Sequence, residues 1–322
     1  MDTFMAPKTL VDAIRYFSDP DRCLDLLVGA RWPKGVICPT CGASNPRFIP
    51  ARRIWECRTK HPLRQFSAKV GTIFEDSPLG LDKWFAAMWM ICGDKNGISS
   101  YEIHRALGVT QKSAWFMMHR IRAAMQSGSF EKMSGDVEAD ETFIGGKARF
   151  MHPWKRAAKI TGTGGMNKTA VMGLLERHGP DKASRVRVKV VQTRKKKELQ
   201  AEVRANVEPG ANLYTDALKS YDGLSEFDHE VIDHAESYVR GKVHTNGLEN
   251  FWSLLKRSIK GTYVSVEPFH LGKYLDEQAF RFNQRRDPSG DSGRFDKVLH
   301  AVTGKRLDYK TLTGKTLGLS PA

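Results

Sequence analysis

An acidic and a basic side chain stand at helical spacing in residues 244–257. Glu249 and Lys256 are seven positions apart, about two turns of an α-helix, so we expect both side chains on one helix face. Such a pair can also belong to the solvated face of an ordinary amphipathic helix. The apolar residues of this segment recur at helical spacing and predict its buried face: Leu248, Phe251, Trp252, Leu255 and Ile259.

Two further carboxylates lie in apolar segments that read as strands. Asp140 lies in residues 136–144, and Asp216 ends residues 212–216. With Glu249 they form a set of three carboxylates that could surround two divalent ions. Hard oxygen ligands favour Mg²⁺ or Mn²⁺ over Zn²⁺ in such a site. Three other acids of the first segment are alternatives to Asp140: Asp136, Glu138 and Glu141.

The segments between these carboxylates predict one topology. Residues 169–176, 185–193 and 230–233 read as strands, residues 196–207 read as a helix, and residues 217–221 read as a short helix. The resulting order of strand, strand, strand, helix, strand, helix, strand, helix is that of the ribonuclease H-like fold. This α/β fold has a mixed five-stranded sheet flanked by helices, and its first and fourth strands are neighbours. Asp140 and Asp216 would then lie side by side.

The cysteines predict a metal site near the N-terminus. Cys38 and Cys41 are three positions apart in a Cys-Pro-Thr-Cys turn, and Cys57 and His61 provide a second pair. Thiolates and an imidazole in this arrangement are typical of a small zinc ribbon, here expected over residues 31–75. Alternatively, Cys57 and His61 are incidental to a small β domain. An odd total of five cysteines favours a reducing compartment over disulfides.

Residues 98–122 read as a helix-turn-helix within a DNA-binding region expected over residues 80–127. Ser99 or Ser100 would cap the first helix, and Gly108 would make the turn before the second. The alternative is a plain helical pair that packs on the rest of the chain. The second helix supplies the expected DNA contacts, to bases from Gln111, Lys112 and Ser113 and to phosphates from Arg120 and Arg122.

The remaining segments complete the expected organisation. Residues 1–30 read as an N-terminal helix, and residues 134–286 as the catalytic α/β domain, which ends in an amphipathic helix. A basic, glycine-rich loop over residues 147–168 is predicted to be a mobile arm that contacts DNA. Residues 287–322 read as a C-terminal tail, in which residues 294–303 could form a helix.

Charge and hydropathy limit the kinds of partner that we expect for this chain. The net charge of +15 and the pI of about 9.6 predict a polyanionic partner. There is no apolar run of the length that spans a bilayer and no charged-then-apolar leader, so we expect no membrane partner and a cytoplasmic location.

Three motifs resemble those of a known family. Residues 137–147, 214–216 and 244–257 are similar to motifs of DDE transposases of bacterial insertion sequences, specifically the ISXO-like group. The similarity extends over residues 20–286. Members of this group join an N-terminal zinc ribbon to a ribonuclease H-like catalytic domain. The resemblance implies a metal-binding triad with a helix-borne base, namely Asp140, Asp216, Glu249 and Lys256.

The resemblance also implies an activity and partners. The chain would bind the ends of an insertion sequence and catalyse metal-dependent DNA cleavage and strand transfer, with Mg²⁺ or Mn²⁺ at the triad and Zn²⁺ in the ribbon. Double-stranded DNA and a homodimer or larger assembly on the nucleoid are expected. Alternatives are a ribonuclease H-like nuclease or resolvase without joining activity, and a non-catalytic DNA-binding regulator. DNA contacts near the triad are expected from His244, Asn246, Lys256 and Arg257, with orientation of a carboxylate an alternative role for His244.

Overall fold

The computed structural model divides the chain into two compact units. The first consists of Met1–Gln126 together with Asp287–Ala322, and the second consists of Ser127–Arg286. Residues 287–322, expected as a separate tail, group by their contacts with the N-terminal part of the chain. The structure describes residues 7–126, 131–146, 151–160, 168–178, 183–232 and 244–314.

The first unit begins with two helices instead of the single helix expected over residues 1–30. These are α1 (Leu10–Phe17) and α2 (Pro20–Arg31). The Asp19 side chain accepts hydrogen bonds from the first backbone N–H groups of α2, and Pro20 occupies the first helical position. An acceptor side chain followed by proline is a strong helix start. The chain therefore ends one helix and begins another at this point.

A small antiparallel sheet follows α2. Its strands are β1 (Arg47–Ile49), β2 (Ile54–Glu56) and β3 (Gln65–Phe66), in the order β1-β2-β3. The rings of Trp55 and Phe66 stack with their centres 6.2 Å apart. This aromatic contact gives the sheet a hydrophobic centre and agrees with the expected small β domain.

The largely buried helix α3 (Leu81–Gly93) contacts α10 (Gly290–His300). Phe295 of α10 lies 5.1 Å from Phe17, ring centre to ring centre, and also contacts aromatic residues of the α3 layer. The short helix α11 (Tyr309–Leu312) comes later in the chain. The C-terminal segment thus supplies core residues to the first unit.

The helical pair expected between residues 98 and 122 is present as α4 (Ser100–Leu107) and α5 (Gln111–Met125). Ser99 caps α4 in a reciprocal capping box, and Thr110 caps α5 through the backbone N–H of its third residue. Gly108 between them has a φ of +59°, a left-handed conformation that favours glycine. Local sequence therefore determines both helix starts and the turn.

A mixed five-stranded sheet is the centre of the second unit, as the sequence predicts. Its strands are β4 (Asp136–Ile144), β5 (Thr169–Glu176), β6 (Arg185–Val191), β7 (Asn212–Asp216) and β8 (Asp228–Ile232). Their order is β6-β5-β4-β7-β8, in which β6, β5 and β4 are antiparallel neighbours while β4, β7 and β8 are parallel. The first and fourth strands of the sheet, β4 and β7, are adjacent, which confirms the expected topology.

Helices cover both faces of this sheet. A first apolar layer joins the sheet to α7 (Lys196–Asn206) and includes Val137, Ala139, Leu199, Val203 and Leu213. A second layer joins the opposite face to α8 (Asn246–Ser258) and α9 (Pro268–Asn283) and includes Val171, Leu175, Phe251, Leu255 and Leu275. A further helix, α6 (Pro153–Lys159), lies between β4 and β5 in the chain.

The helix α8 begins directly after Thr245, with Asn246 as its first helical residue. After Ser258 the chain continues as a π-helical turn over Ile259–Tyr263, which includes Gly261. Among the helices of the described segments, none has the length and apolar character needed to cross a bilayer.

Candidate active site and metal centre

Asp140 and Asp216 lie on neighbouring parallel strands. In the register of β4 and β7, Ala139 is opposite Thr215, and each aspartate is the next residue of its strand. Their side chains therefore leave the same face of the sheet, because paired residues of adjacent strands share a face. The Asp216 carboxylate accepts a hydrogen bond of 3.1 Å from the backbone N–H of Leu218, which holds it at the carboxyl end of β7.

The Asp140 carboxylate is held by one hydrogen bond on each oxygen. Its Oδ2 accepts a bond of 2.9 Å from the indole Nε1–H of Trp252, and its Oδ1 accepts one of 2.7 Å from the backbone N–H of Glu141. Gly173 on β5 is opposite Asp140, and a Cβ there would lie 2.7 Å from two ring carbons of Trp252. The absence of a side chain at Gly173 therefore lets the indole of α8 reach the carboxylate.

Several negative charges meet at this point of the sheet. Burial raises the pKa of Asp140 to about 6, and the charges of Asp216 and Glu249 act in the same direction. The hydrogen bonds from Trp252 and the Glu141 backbone oppose that rise. Clustered carboxylates in a partly buried site repel one another, and a bound cation relieves that repulsion. The oxygen donor set fits a hard divalent cation such as Mg²⁺.

The helix α8 brings the expected acid and base to the same site. Glu249 lies in its first turn, three residues before Trp252, and Lys256 lies four residues after Trp252. Burial lowers the pKa of the half-buried Lys256, while the nearby charge of Asp140 opposes that change. The structure therefore brings together all four residues that the sequence nominates, three carboxylates and one ammonium group.

Glu138, which the sequence offered only as an alternative to Asp140, is a buried carboxylate with its own set of contacts. Its side chain is 1% exposed, and its Oε2 accepts a hydrogen bond of 2.8 Å from the backbone N–H of Leu248 at the start of α8. Arg177 donates to the Oε1 over 2.7 Å. A Cβ at Gly247 would lie 2.9 Å from Oε2. Glu138 thus fixes the start of α8 to the strand that carries Asp140.

The His244 side chain lies beside Glu138 and Arg177. Its Nδ1 lies 2.8 Å from Nη2 of Arg177 and 3.6 Å from Oε1 of Glu138. Burial lowers the pKa of His244, and the positive charge of Arg177 acts in the same direction. Of its two expected roles, this geometry favours orientation of a carboxylate, which is Glu138.

Glu141 adds an acidic group on the other face of β4. It accepts a hydrogen bond from the hydroxyl of the buried Tyr221. Burial raises the pKa of Glu141 to about 7, and the charges of Asp216 and Asp140 act in the same direction. The only sequence signal for this contact was the adjacency of two acids, because the tyrosine is distant in the chain.

The four predicted zinc ligands converge in the first unit. The ligand atoms of Cys38, Cys41, Cys57 and His61 all lie within 4.8 Å of one another. The Sγ atoms of Cys41 and Cys57 are 3.6 Å apart, and Sγ of Cys38 is 3.4 Å from Nε2 of His61. Zn–S bonds of about 2.3 Å in a tetrahedron place two sulfurs about 3.8 Å apart. The donor set and its spacing therefore fit Zn²⁺.

The surroundings of Cys38 favour the thiolate form of its side chain. Burial opposes ionisation of Cys38, yet hydrogen bonds from the backbone N–H groups of Cys41 and Thr40, with the neighbouring thiols, lower its pKa to about 6. A thiolate is the form that binds metal. In the described segments, the carboxylates around Asp140 do not form so compact a group.

The three residues at the start of α5 that are predicted to contact bases differ in the exposure of their side chains. The amide of Gln111 donates to the hydroxyl of Ser100 over 2.9 Å and so links the two helices. Ser113 is half-buried and takes part in the cap of α5. Lys112 is exposed, and its Nζ lies 4.8 Å from the ring centre of Tyr309. Of the three residues predicted to read bases, Lys112 is the one whose side chain faces solvent.

The expected phosphate contacts from Arg120 and Arg122 are wrong for this conformation. Arg120 is 3% exposed and donates to the backbone carbonyls of Glu75 and Leu307, while Arg122 is 1% exposed. A guanidinium whose donors bind buried carbonyls is not available to DNA. The spacing of both arginines on the inner face of α5 explains the difference, since the helix packs along its whole second half.

The other predicted DNA contacts lie only partly within the described residues. Asn246 and Arg257 are exposed on α8. The basic arm expected over residues 147–168 lies partly outside the described residues, and its described part contains α6.

The fold and the two sites define a protein with a zinc-ribbon-type metal centre and an acidic centre on an α/β sheet. Residues 132–283 match the family model described as the ISXO2-like transposase domain, and residues 18–59 match the transposase zinc-ribbon domain. The chain belongs to this family of transposases.

Two curated relatives agree with that assignment. The chain is 28% identical over 290 residues to an "uncharacterized protein in transposable element ISH50" of Halobacterium salinarum, a match that covers 87% of this chain and 96% of the relative. It is 36% identical over 83 residues to an "uncharacterized transposase-like protein" of Haemophilus influenzae, covering 25% of this chain and 67% of the relative.

Proposed function

We propose that this transposase cuts DNA at the ends of its insertion sequence and joins the freed 3′-hydroxyl groups to target DNA. Asp140, Asp216 and Glu249 would be the metal ligands, and Lys256 would hold a phosphate of the substrate. The observation that carries the proposal is the position of Asp140 and Asp216 on paired parallel strands beneath the helix that bears Glu249.

The three carboxylates would hold Mg²⁺ or Mn²⁺. When bound, the ions activate the attacking oxygen and stabilise the leaving oxygen of a phosphodiester. Burial is the main cause of the raised pKa of Asp140, and the charges of Asp216 and Glu249 add to it. Those neighbouring charges support this part of the proposal, because a cation would balance them. The same ligands would serve hydrolysis and strand transfer, since only the nucleophile differs. It is water in hydrolysis and a 3′-hydroxyl group in strand transfer.

The protein's own residues position the strand. Lys256 projects from α8 close to Asp140, so its ammonium group can bind a phosphate oxygen beside the metal ligands. Asn246 and Arg257 are exposed on the same helix and would contact the sugar-phosphate backbone. We also propose that this ribonuclease H-like unit is the catalytic domain and that residues 31–75 and 80–127 bind DNA.

DNA recognition would rest on the first unit. The net charge of +15 gives the chain a general affinity for a polyanion. A helix-turn-helix of α4 and α5 would present its second helix to the major groove, with Lys112 as the main candidate for base contacts. Gln111 and Ser113 would support the start of α5, given their contacts with Ser100 and Thr110.

The active form would be a homodimer or larger assembly, because two element ends must be held together for joining. Its substrate is chromosomal DNA, so the activity belongs to the bacterial nucleoid in the cytoplasm. Light scattering of the protein with and without a DNA duplex carrying one element end tests this. Mass corresponding to one chain per duplex at all concentrations would rule out the assembly.

The activity is tested with labelled DNA that carries both element ends, with Mg²⁺, comparing the intact chain with Glu249→Gln. A matched control is Glu208→Gln, because Glu208 is an exposed acid in the turn before β7. We expect cutting and joining by the intact chain and the control, and binding without chemistry by the Glu249 variant.

Each alternative predicts a different result of that assay. Cutting without joining would identify a nuclease or resolvase. Binding by both chains with neither reaction would identify a DNA-binding regulator. Equal activity of Glu249→Gln and the intact chain would remove Glu249 from the metal ligands.

A further inference from the structure

We propose that Trp252 is a positioning residue, whose indole N–H fixes the Asp140 carboxylate in the orientation that binds the divalent ion. The inference rests on the proposed function and adds a residue to it. It concerns a side chain that touches neither the ion nor DNA, and acts through Asp140.

The hydrogen bonds of Asp140 determine how its carboxylate can turn. One oxygen accepts from the backbone N–H of Glu141 and the other from Trp252, over 2.7 Å and 2.9 Å. With a donor on each oxygen, rotation of the carboxylate about its last side-chain bond would break a contact. Each oxygen keeps a further lone pair for a cation. Partners of this kind orient metal ligands and tune their affinity.

The strand next to Asp140 is shaped for the indole. Gly173 is opposite Asp140 in the β4–β5 register, and a Cβ at Gly173 would lie 2.7 Å from two ring carbons of Trp252 and 2.8 Å from a methyl of Leu248. A Cβ essentially never lies so close to non-bonded carbon atoms, so any side chain here would displace the ring. Trp252 is itself only 4% exposed, and a buried indole N–H needs an acceptor.

The position of Trp252 in α8 gives the bond a second consequence. It lies three residues after Glu249 and four residues before Lys256, so all three side chains belong to one helix face. The bond to Asp140 therefore sets the distance between the strand that bears one proposed ligand and the helix that bears another. The anchor at Glu138 fixes only the start of the same helix.

The test removes the N–H and keeps the ring. Benzothienylalanine at position 252 replaces the indole N–H by sulfur with nearly the same shape, and Trp252→Phe is a second, genetically encoded variant. Mn²⁺ binding to the full-length protein without DNA is measured by titration calorimetry. Unfolding by heat is measured in parallel, because a purely structural role would lower stability without a selective loss of metal affinity.

A matched control is Phe251→Leu, since Phe251 is fully buried in the same apolar layer and reaches no carboxylate in the described contacts. We expect about tenfold to a hundredfold weaker Mn²⁺ binding for both Trp252 variants, and binding like that of the intact chain for the control. In the DNA assay, excess Mg²⁺ should restore much of the lost cutting, because the defect lies in metal binding.

Two results would overturn the inference, and they are distinguishable. If the intact chain binds Mn²⁺, Asp140→Asn abolishes binding and the benzothienylalanine protein binds normally, then Trp252 has no positioning role while the proposed function stands. If Asp140→Asn leaves Mn²⁺ binding unchanged, Asp140 is not a ligand, and both the proposed metal site and the role of Trp252 fail.

Discussion

The Glu138 carboxylate accepts a hydrogen bond of 2.8 Å from the backbone N–H of Leu248, which ties the first turn of α8 to β4 across 110 positions of the chain. A carboxylate at a helix N-terminus also interacts favourably with the helix dipole. The contact determines where Glu249 stands relative to Asp140. Gly247 makes it possible, because any Cβ at that position would press on the Glu138 oxygens.

The first prediction concerns that close approach. Gly247→Ala should lower the free energy of unfolding by about 1–3 kcal/mol, as overpacking in an interior does, and should reduce DNA cutting. The measurement is urea unfolding of each variant. Gly272→Ala in α9 is the control, because a Cβ there meets nothing within 4 Å, and it should be neutral or stabilise by up to about 1 kcal/mol. Equal effects of both substitutions would contradict the proposed packing at Gly247.

The second prediction follows from the ion pairs of Glu176. Burial opposes ionisation of this carboxyl, but hydrogen bonds from the Ser134 backbone and from Arg185 lower its pKa below the ordinary 4.5. A group with a lowered folded pKa stabilises the protein above its unfolded pKa, and that contribution is lost as pH falls through the folded value.

Glu176→Gln should therefore be less stable than the intact chain at neutral pH, and the difference should shrink as pH falls below 4.5. Denaturant unfolding at a series of pH values measures it. As a control, Glu208→Gln should leave the pH dependence unchanged, since Glu208 is exposed. A difference that stayed constant down to the acid limit would mean that the charge of Glu176 does not matter.

The third prediction concerns lysines beside the acidic site. Lys168 and Lys260 lie near enough to Lys256 to lower its pKa, and within the described residues none of the three forms a salt bridge. Ammonium groups gathered in this way suit a phosphate chain. Each of Lys168→Gln and Lys260→Gln should weaken DNA binding and reduce the slope of log affinity against log salt by about 0.9.

Binding measured at several salt concentrations by fluorescence anisotropy tests this. The control is Lys189→Gln, because the Lys189 ammonium already pairs with Glu202 on the surface of the sheet. The control should keep the salt dependence of the intact chain. If Lys168→Gln and Lys260→Gln keep it as well, these two lysines do not contact phosphates.

The acidic centre was largely predictable from the sequence, whereas its supports were not. Strand order placed Asp140 beside Asp216, and helical spacing placed Glu249 and Lys256 on one face, because both patterns depend on regular backbone geometry. Trp252 and Glu138 acquired their roles through contacts across more than a hundred positions. Such contacts depend on how side chains fit, and composition carries no signal for them.

The first unit shows a complementary pattern. The caps and turn of α4 and α5 follow from local residue types and were confirmed. The four predicted zinc ligands also follow from local residue types, and their ligand atoms lie together in the structure. The burial of Arg120 and Arg122 was missed, because arginine is usually exposed. For Arg120, burial needs carbonyl acceptors from segments that are distant in the chain. The role of α10 was missed for a similar reason, since its first turn is rich in glycine and polar residues.

The fourth prediction separates base reading from general affinity. Lys112→Ala should weaken binding to the element's own ends more than binding to random DNA, because base contacts carry sequence information and phosphate contacts do not. Lys112 is changed alone, since altering Gln111 would break its bond to Ser100. The control is Arg105→Ala, an exposed cation on α4, for which equal losses on both DNAs are expected. Equal losses for Lys112→Ala would refute base reading.

The fifth prediction concerns the zinc centre. The purified chain should contain about one zinc ion, and Cys57→Ser should lose most of it, because three remaining ligands bind far more weakly than four. Elemental analysis after dialysis against a chelator measures this. Cys23→Ala is the control: Cys23 is buried away from the site and its thiol contacts the carbonyl of Phe17, so this variant should keep its zinc.

Loss of zinc should also have a structural consequence that stays local. The small sheet of β1, β2 and β3 has few buried residues, so without the ion its backbone amides should exchange rapidly with solvent. The five-stranded sheet has its own hydrophobic layers and should keep its protection. Hydrogen exchange of the intact chain before and after chelation compares the two. Uniform loss of protection throughout the chain would mean that zinc stabilises more than the ribbon, and unchanged protection would mean that the ribbon folds without it.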